Sequence, residues 1–191
     1  MVLGLVGMIK NKYKNDYKVS PRMDYKGRIV DDYYYTGEYY CLSFDEKQKK
    51  RTRIYNMLFL IAFVTVWMIA GLINQDSSRT AWILFPYFFL LLPMIYFFNG
   101  AFGYWSVPLR MERALYETTL GRMHRSGIGI IVMAIVNIIL DVIFIGLNIQ
   151  TINIISEILY MGCLILVLLI SFIFAKFYDK TYANVVIEKV E

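Results

Sequence analysis

Asp141 is the residue whose type and position ask most for a chemical account. It lies about two-thirds along an apolar run from Ile128 to Asn148, with Asn137 one helical turn before it and Asn148 two turns after. On a helix these three share one face and make a candidate intramembrane polar site. An ionised carboxylate at such depth costs about 2.5–3.5 kcal/mol on insertion-based scales. No Lys, Arg or His stands at membrane depth in the other apolar runs to offset that cost. Three roles are open. The acid is protonated and ties helices together by hydrogen bonds, with Asn137, Tyr160 or Ser171 as partners. It is a proton- or cation-coupled site. Or it pairs with a basic residue of another subunit.

No second constellation carries chemistry. His124 is the sole histidine, and Cys41 and Cys163 fall in different compartments of the expected topology, so neither a metal site nor a disulfide is expected. Gly127 and Gly129 are spaced like the start of a dinucleotide fingerprint, but they precede an apolar helix and lack the third glycine. With no nucleophile, base and metal set, the expectation is a protein that is not an enzyme and needs no cofactor.

The elements that must position Asp141 are four apolar runs, Tyr55–Ile73, Ala81–Tyr104, Ile128–Asn148 and Ile158–Ala175. Each is close to the ~20 residues a helix needs to cross a hydrocarbon core. If all four cross, 19 of the 20 Lys and Arg residues fall on one side and Arg79 alone on the other. By the positive-inside tendency both termini and the 105–127 segment are cytoplasmic, in a plasma or bacterial inner membrane. The basic surplus then reads as anchoring to anionic headgroups and not as a nucleic-acid signature. The expected fold is an all-α four-helix transmembrane bundle with a small cytoplasmic β-hairpin. Residues 1–53 form the N-terminal region, 54–175 the membrane domain and 176–191 a cytoplasmic tail. The opening Met1–Ile9 reads as a strand or a short helix lying on the bilayer.

Pro86, Pro93 and Gly100 recur every seven residues along one stripe of the second run. They predict a kink between the prolines and a face that lines a cavity, acts as a hinge or admits a close neighbour. Val30–Tyr35 and Glu38–Phe44 are β-prone and flank Thr36–Gly37, which predicts a hairpin over 28–44 with Tyr40, Leu42 and Phe44 on one face. Ser106–Val107–Pro108 resembles a helix start and predicts an interfacial helix over 106–126. Two basic clusters, Lys49, Lys50, Arg51 and Arg53 before the first run and Arg110, Arg113, Arg122 and Arg125 after the second, are candidate contacts for lipid headgroups or a partner. The functional expectation is an accessory, scaffold or regulatory subunit of a membrane complex, with a protein partner or a second copy. The alternative is a small proton- or cation-coupled transporter or channel subunit that uses Asp141.

Overall fold

The computed structural model describes residues 11–25 and 27–189; the reading of Met1–Ile9 lies outside them. Four helical stretches are long and apolar enough to cross a membrane. They are α1 (Glu46–Leu72), the pair α2 (Ala81–Phe89) and α3 (Leu91–Tyr104), α5 (Leu120–Asn148) and α6 (Ile154–Tyr182), with a short α4 (Arg113–Thr118) ahead of α5. Asp45 starts α1 by accepting the Gln48 N–H at 2.8 Å, and Asn153 starts α6 by accepting from Ile155 at 3.3 Å.

Apolar residues surround every helix, so the buried seams are set by spacing and residue size. On α6 the buried side chains are Glu157, Tyr160, Leu164, Val167, Ser171, Phe174, Tyr178 and Tyr182, alternating three and four residues apart as far as Tyr178. On α5 Met123, Gly127, Ile130, Ala134, Asn137, Asp141 and Phe144 do the same. That alternation keeps one seam facing a neighbouring helix. The opposite faces expose Ile61, Phe85, Val132, Leu166 and Phe172, as suits helices surrounded by lipid tails.

The second span is interrupted at Leu90, between α2 and α3. Pro93 falls in the first turn of α3, where its missing N–H costs no helical bond. The Pro86–Pro93–Gly100 stripe lies along α5. Asn137 Nδ2 donates to the Pro86 carbonyl at 3.1 Å. A Cβ on Gly129 would sit 3.1 Å from Pro93 Cβ, and one on Gly100 would sit 2.9 Å from the Thr119 carbonyl and 2.8 Å from Met123 Cγ.

Two small sheets gather at one end of the bundle, here the sheet end. β3 (Glu38–Leu42) lies between β4 (Arg110–Glu112) and β5 (Val185–Lys189), antiparallel to both. Because β3 precedes α1, β4 follows α3 and β5 follows α6, this sheet puts the N-terminal segment, the middle connector and the C-terminal tail together. An even number of crossings between each pair satisfies that pairing.

The expected hairpin over 28–44 is corrected. Both runs are strands, but they belong to different sheets: β2 (Ile29–Tyr35) pairs with β1 (Tyr17–Met23), not with β3. Tight two-residue hairpin turns need a positive φ, and Gly37 does not have one; Gly27 does, at 71°. The turn therefore falls at Asp24–Arg28, where Gly27 N–H donates to the Asp24 carbonyl at 2.8 Å. The expected helix over 106–126 is also corrected. Arg110–Glu112 is drawn into a strand by the free edge of β3, and the chain breaks again at Thr119. Residues 120–126 belong to the long α5, continuous with the span.

Candidate functional site

At the end opposite the sheets, the loop end, the connection from Asn74 to Thr80 folds into the bundle. Gln75 and Ser77 are buried there, and the 3-10 turn Asp76–Arg79 packs on α2, α5 and α6. The Ser77 N–H donates to Glu157 Oε1 at 2.9 Å, and the Asn153 N–H donates to Asp76 Oδ2 at 2.9 Å, so the two loop-end connections hold each other. Asp141 is fully buried, and its polar neighbours are Glu157 and the Ser77 hydroxyl. Neither Asp141 oxygen completes a hydrogen bond of normal geometry, nor do Glu157 Oε2 and Ser77 Oγ. Two acids and a hydroxyl thus face one another inside the bundle.

Of the three residues expected to share this site, only Asp141 is in it. Asn137 lies on the same buried face but spends its amide on the Met133 and Pro86 carbonyls. Asn148 is half-buried and donates to Phe144 of its own helix at 2.9 Å. Glu157, one residue outside the expected run Ile158–Ala175, is the site residue that the sequence reading lacks. Its signal is in the spacing: it begins the run that continues through Tyr160, Leu164 and Val167. Ser171, named as a possible partner, bonds to the Val167 carbonyl at 2.8 Å.

The sheet end holds most of the expected basic contacts, with one correction. Lys49 is buried and paired with Glu46 at 3.3 Å, so it faces protein and not headgroups. Lys50 and Arg51 are exposed, and Arg53 lies 5.9 Å over the Trp105 ring. Arg110 covers the Tyr39 ring at 4.1 Å and pairs with Glu188 at 3.1 Å. Arg122 and Arg125 line a groove of about 450 Å³ with Pro93, Tyr96 and Ser126. His124 is half-buried and packs 4.7 Å from the Tyr178 ring. Beneath the sheet, Thr52, Tyr104, Tyr182 and Asn56 form a buried polar chain, with Asn56 Nδ2 donating to the Tyr182 hydroxyl at 3.1 Å.

Glu117 on α4 is the hub of this end. It accepts from Lys12, from Tyr13 at 3.0 Å and from Arg113 Nε at 3.1 Å. Burial pushes its carboxyl up, but the hydrogen bonds from Lys12, Arg113 and Tyr13 outweigh burial and hold it at about 2. A group whose folded value is depressed stabilises above its ordinary range and loses that contribution as pH falls through the folded value. Acidification from pH 5 toward pH 2 is therefore expected to release the Asn11–Asp16 turn from α4. Hydrogen exchange of residues 11–16 should rise over that window, and Glu117→Gln should remove the dependence.

These features define a class: a chain with four helices of membrane-spanning length and apolarity, compatible with an integral membrane protein, with a strand-built module at one end and a buried acid pair at the other. Comparison with protein-family models, curated proteins and solved structures finds no match for it.

Proposed function

We propose that the protein is a non-enzymatic accessory, scaffold or regulatory subunit of a membrane complex, and that the sheet end, on the cytoplasmic side, is where it meets its partner. The observation that carries this reading is the β1–β2 hairpin. Met23, Ile29, Val30, Tyr33 and Tyr34 are all exposed on it, and both of its strands are open to solvent along most of their length. A two-stranded ribbon is marginal in water, and a cluster of exposed apolar side chains off the lipid-facing surface marks a contact. At its base the hairpin is anchored to the rest of the sheet end. There the Tyr17 hydroxyl donates to Glu112, and Tyr35 accepts the Arg113 N–H at 3.0 Å while donating to the Glu38 carbonyl at 2.8 Å. Such a mount fixes the direction of the ribbon and leaves the exposed apolar side chains of its strands for a polypeptide partner or a second copy of the chain. The 19-to-1 division of basic residues supports a cytoplasmic sheet end, where Lys50, Arg51, Arg122 and Arg125 meet anionic headgroups.

The test is purification in mild detergent of the wild type and of a Met23→Ser, Ile29→Ser, Tyr33→Ser variant. The wild type is expected as a stoichiometric complex, hetero- or homo-oligomeric, and the variant as a monomer of unchanged thermal stability. A wild-type monomer, or a variant that keeps its partner, contradicts the reading. A proton- or cation-coupled transport subunit is the second reading, supported by the buried Asp141 and Glu157.

A further inference from the structure

At the end of the bundle opposite the hairpin, four buried oxygens from three elements face one another with too few hydrogens among them. Glu157 Oε1 has a donor, the Ser77 N–H at 2.9 Å. Glu157 Oε2, both oxygens of Asp141 and Ser77 Oγ have none, and all three residues are wholly shielded from solvent. The Ser77 hydroxyl faces Asp141 and brings one rotatable hydrogen. Two adjacent carboxylates in a dry site cannot both stay ionised without a compensating positive charge.

We propose that Asp141, Glu157 and Ser77 form a buried proton-binding site in which a single proton from solvent, shared between the two carboxylates, latches the Asn74–Thr80 loop into the bundle. The hydrogen-bond accounting closes with that one atom. The proton bridges Glu157 Oε2 and one Asp141 oxygen, and the Ser77 hydroxyl turns onto the other. The Ser77 N–H already serves Glu157 Oε1. Every polar atom of the three side chains then has a partner, and one negative charge remains, held by two donors from the same residue. A divalent metal fits less well. Ca²⁺ and Mg²⁺ take about six oxygens or more and Zn²⁺ about four ligands, and the described residues hold no group of three or more His, Cys, Asp or Glu that could grip one.

Among the described residues the surroundings supply no rival charge. From α6 the other titratable neighbour is Tyr160, which is buried. α2 carries no acidic or basic residue, and its Tyr87 donates to the Trp67 carbonyl at 2.6 Å. Asp76 is turned to the Asn153 N–H and to Arg79, 4.0 Å away at the rim. When the loop lifts, both acids meet water and lose the proton at ordinary carboxyl values of about 4. The closed state therefore binds one more proton than the open state across the neutral range. Its advantage falls as pH rises, by up to about tenfold in the closed-to-open ratio per pH unit once the open state is fully ionised.

Hydrogen exchange of the full chain in lipid nanodiscs tests this from pH 6 to pH 9, with intrinsic exchange rates divided out. Protection of residues 75–79 is expected to fall with pH, over some part of the range by close to tenfold per unit. Protection of residues 170–180, at the sheet end of α6, should stay level. Asp141→Asn and Glu157→Gln each keep shape and hydrogen-bonding capacity but need no shared proton, so each should flatten the dependence. A flat wild-type profile overturns the proposal, and so does a slope that survives in either variant. Protection that rises with NaCl over choline chloride at constant pH assigns the site to Na⁺ instead of a proton and overturns it as well.

Discussion

Gly100→Val is expected to leave little folded protein. An added Cβ at Gly100 would lie 2.9 Å from the Thr119 carbonyl, 3.1 Å from the Met123 amide nitrogen and 2.8 Å from Met123 Cγ. Two of those three atoms are backbone, so no rotamer change relieves the clash, and α3 must move away from the start of α5. Overpacking of this kind costs about 1–3 kcal/mol for small insertions and more where the backbone itself is the obstacle. Valine adds two methyl groups beyond the first carbon, which puts the expected loss at the upper end or above. Thermal unfolding in detergent and steady-state abundance both read it. Gly146→Ala and Gly162→Ala are the controls: nothing lies within 4 Å of an added Cβ at either position, and both should match the wild type.

Phe174→Ala is expected to cost about 3–5 kcal/mol, the range for removing a buried aromatic ring. The Phe174 ring is edge-on to Phe97 at 4.8 Å and to Phe59 at 5.3 Å, so it ties α6 to α3 and to α1. Lipid tails cannot enter the gap to replace those contacts, so lost dispersion dominates the loss. The same ring explains Gly127, where an added Cβ would meet it at 2.8 Å. Gly127→Ala should therefore destabilise by about 1–3 kcal/mol alone and by clearly less on a Phe174→Leu background. A double-mutant cycle should return a coupling of at least about 0.5 kcal/mol. Additive effects would show that the two residues do not share that space.

The spans were legible because an apolar run of membrane length needs no tertiary information to be read. Glu157 was not, although its place at the head of the seam through Tyr160, Leu164 and Val167 encodes its burial. It stands one residue before the apolar run Ile158–Ala175, among polar residues of a loop end that folds inward. The hairpin was misplaced for a related reason. β1 contains Lys18, Ser20, Pro21 and Arg22, none of them strong strand formers, and its pairing is dictated by the glycine turn that follows it. β3 was recognisable as a strand, and Tyr40, Leu42 and Phe44 do share a face: Tyr40 stacks on Tyr116 at 4.3 Å, Leu42 is buried, and Phe44 lies 6.2 Å from Tyr182. Its partners were not, since β4 and β5 are about 70 and 145 residues away along the chain and no local pattern announces so distant a pairing. The short β4 is strand only because the edge of β3 is there to receive it.

The proposed arrangement rests on the three-stranded sheet: with all four helices crossing, it puts the N-terminal segment, the middle connector and the C-terminal tail on one side of the membrane and the loop end on the other. Single cysteines placed at Ser43, Asn184 and Gln150, all exposed, in a background where Cys41 and Cys163 are serine, test this with a membrane-impermeant maleimide on intact cells. Gln150→Cys should label at once, and Ser43→Cys and Asn184→Cys only after permeabilisation. Labelling of Ser43→Cys and Asn184→Cys from opposite sides would break the sheet and with it the fold, and a full reversal of the pattern would contradict the cytoplasmic placement of the sheet end.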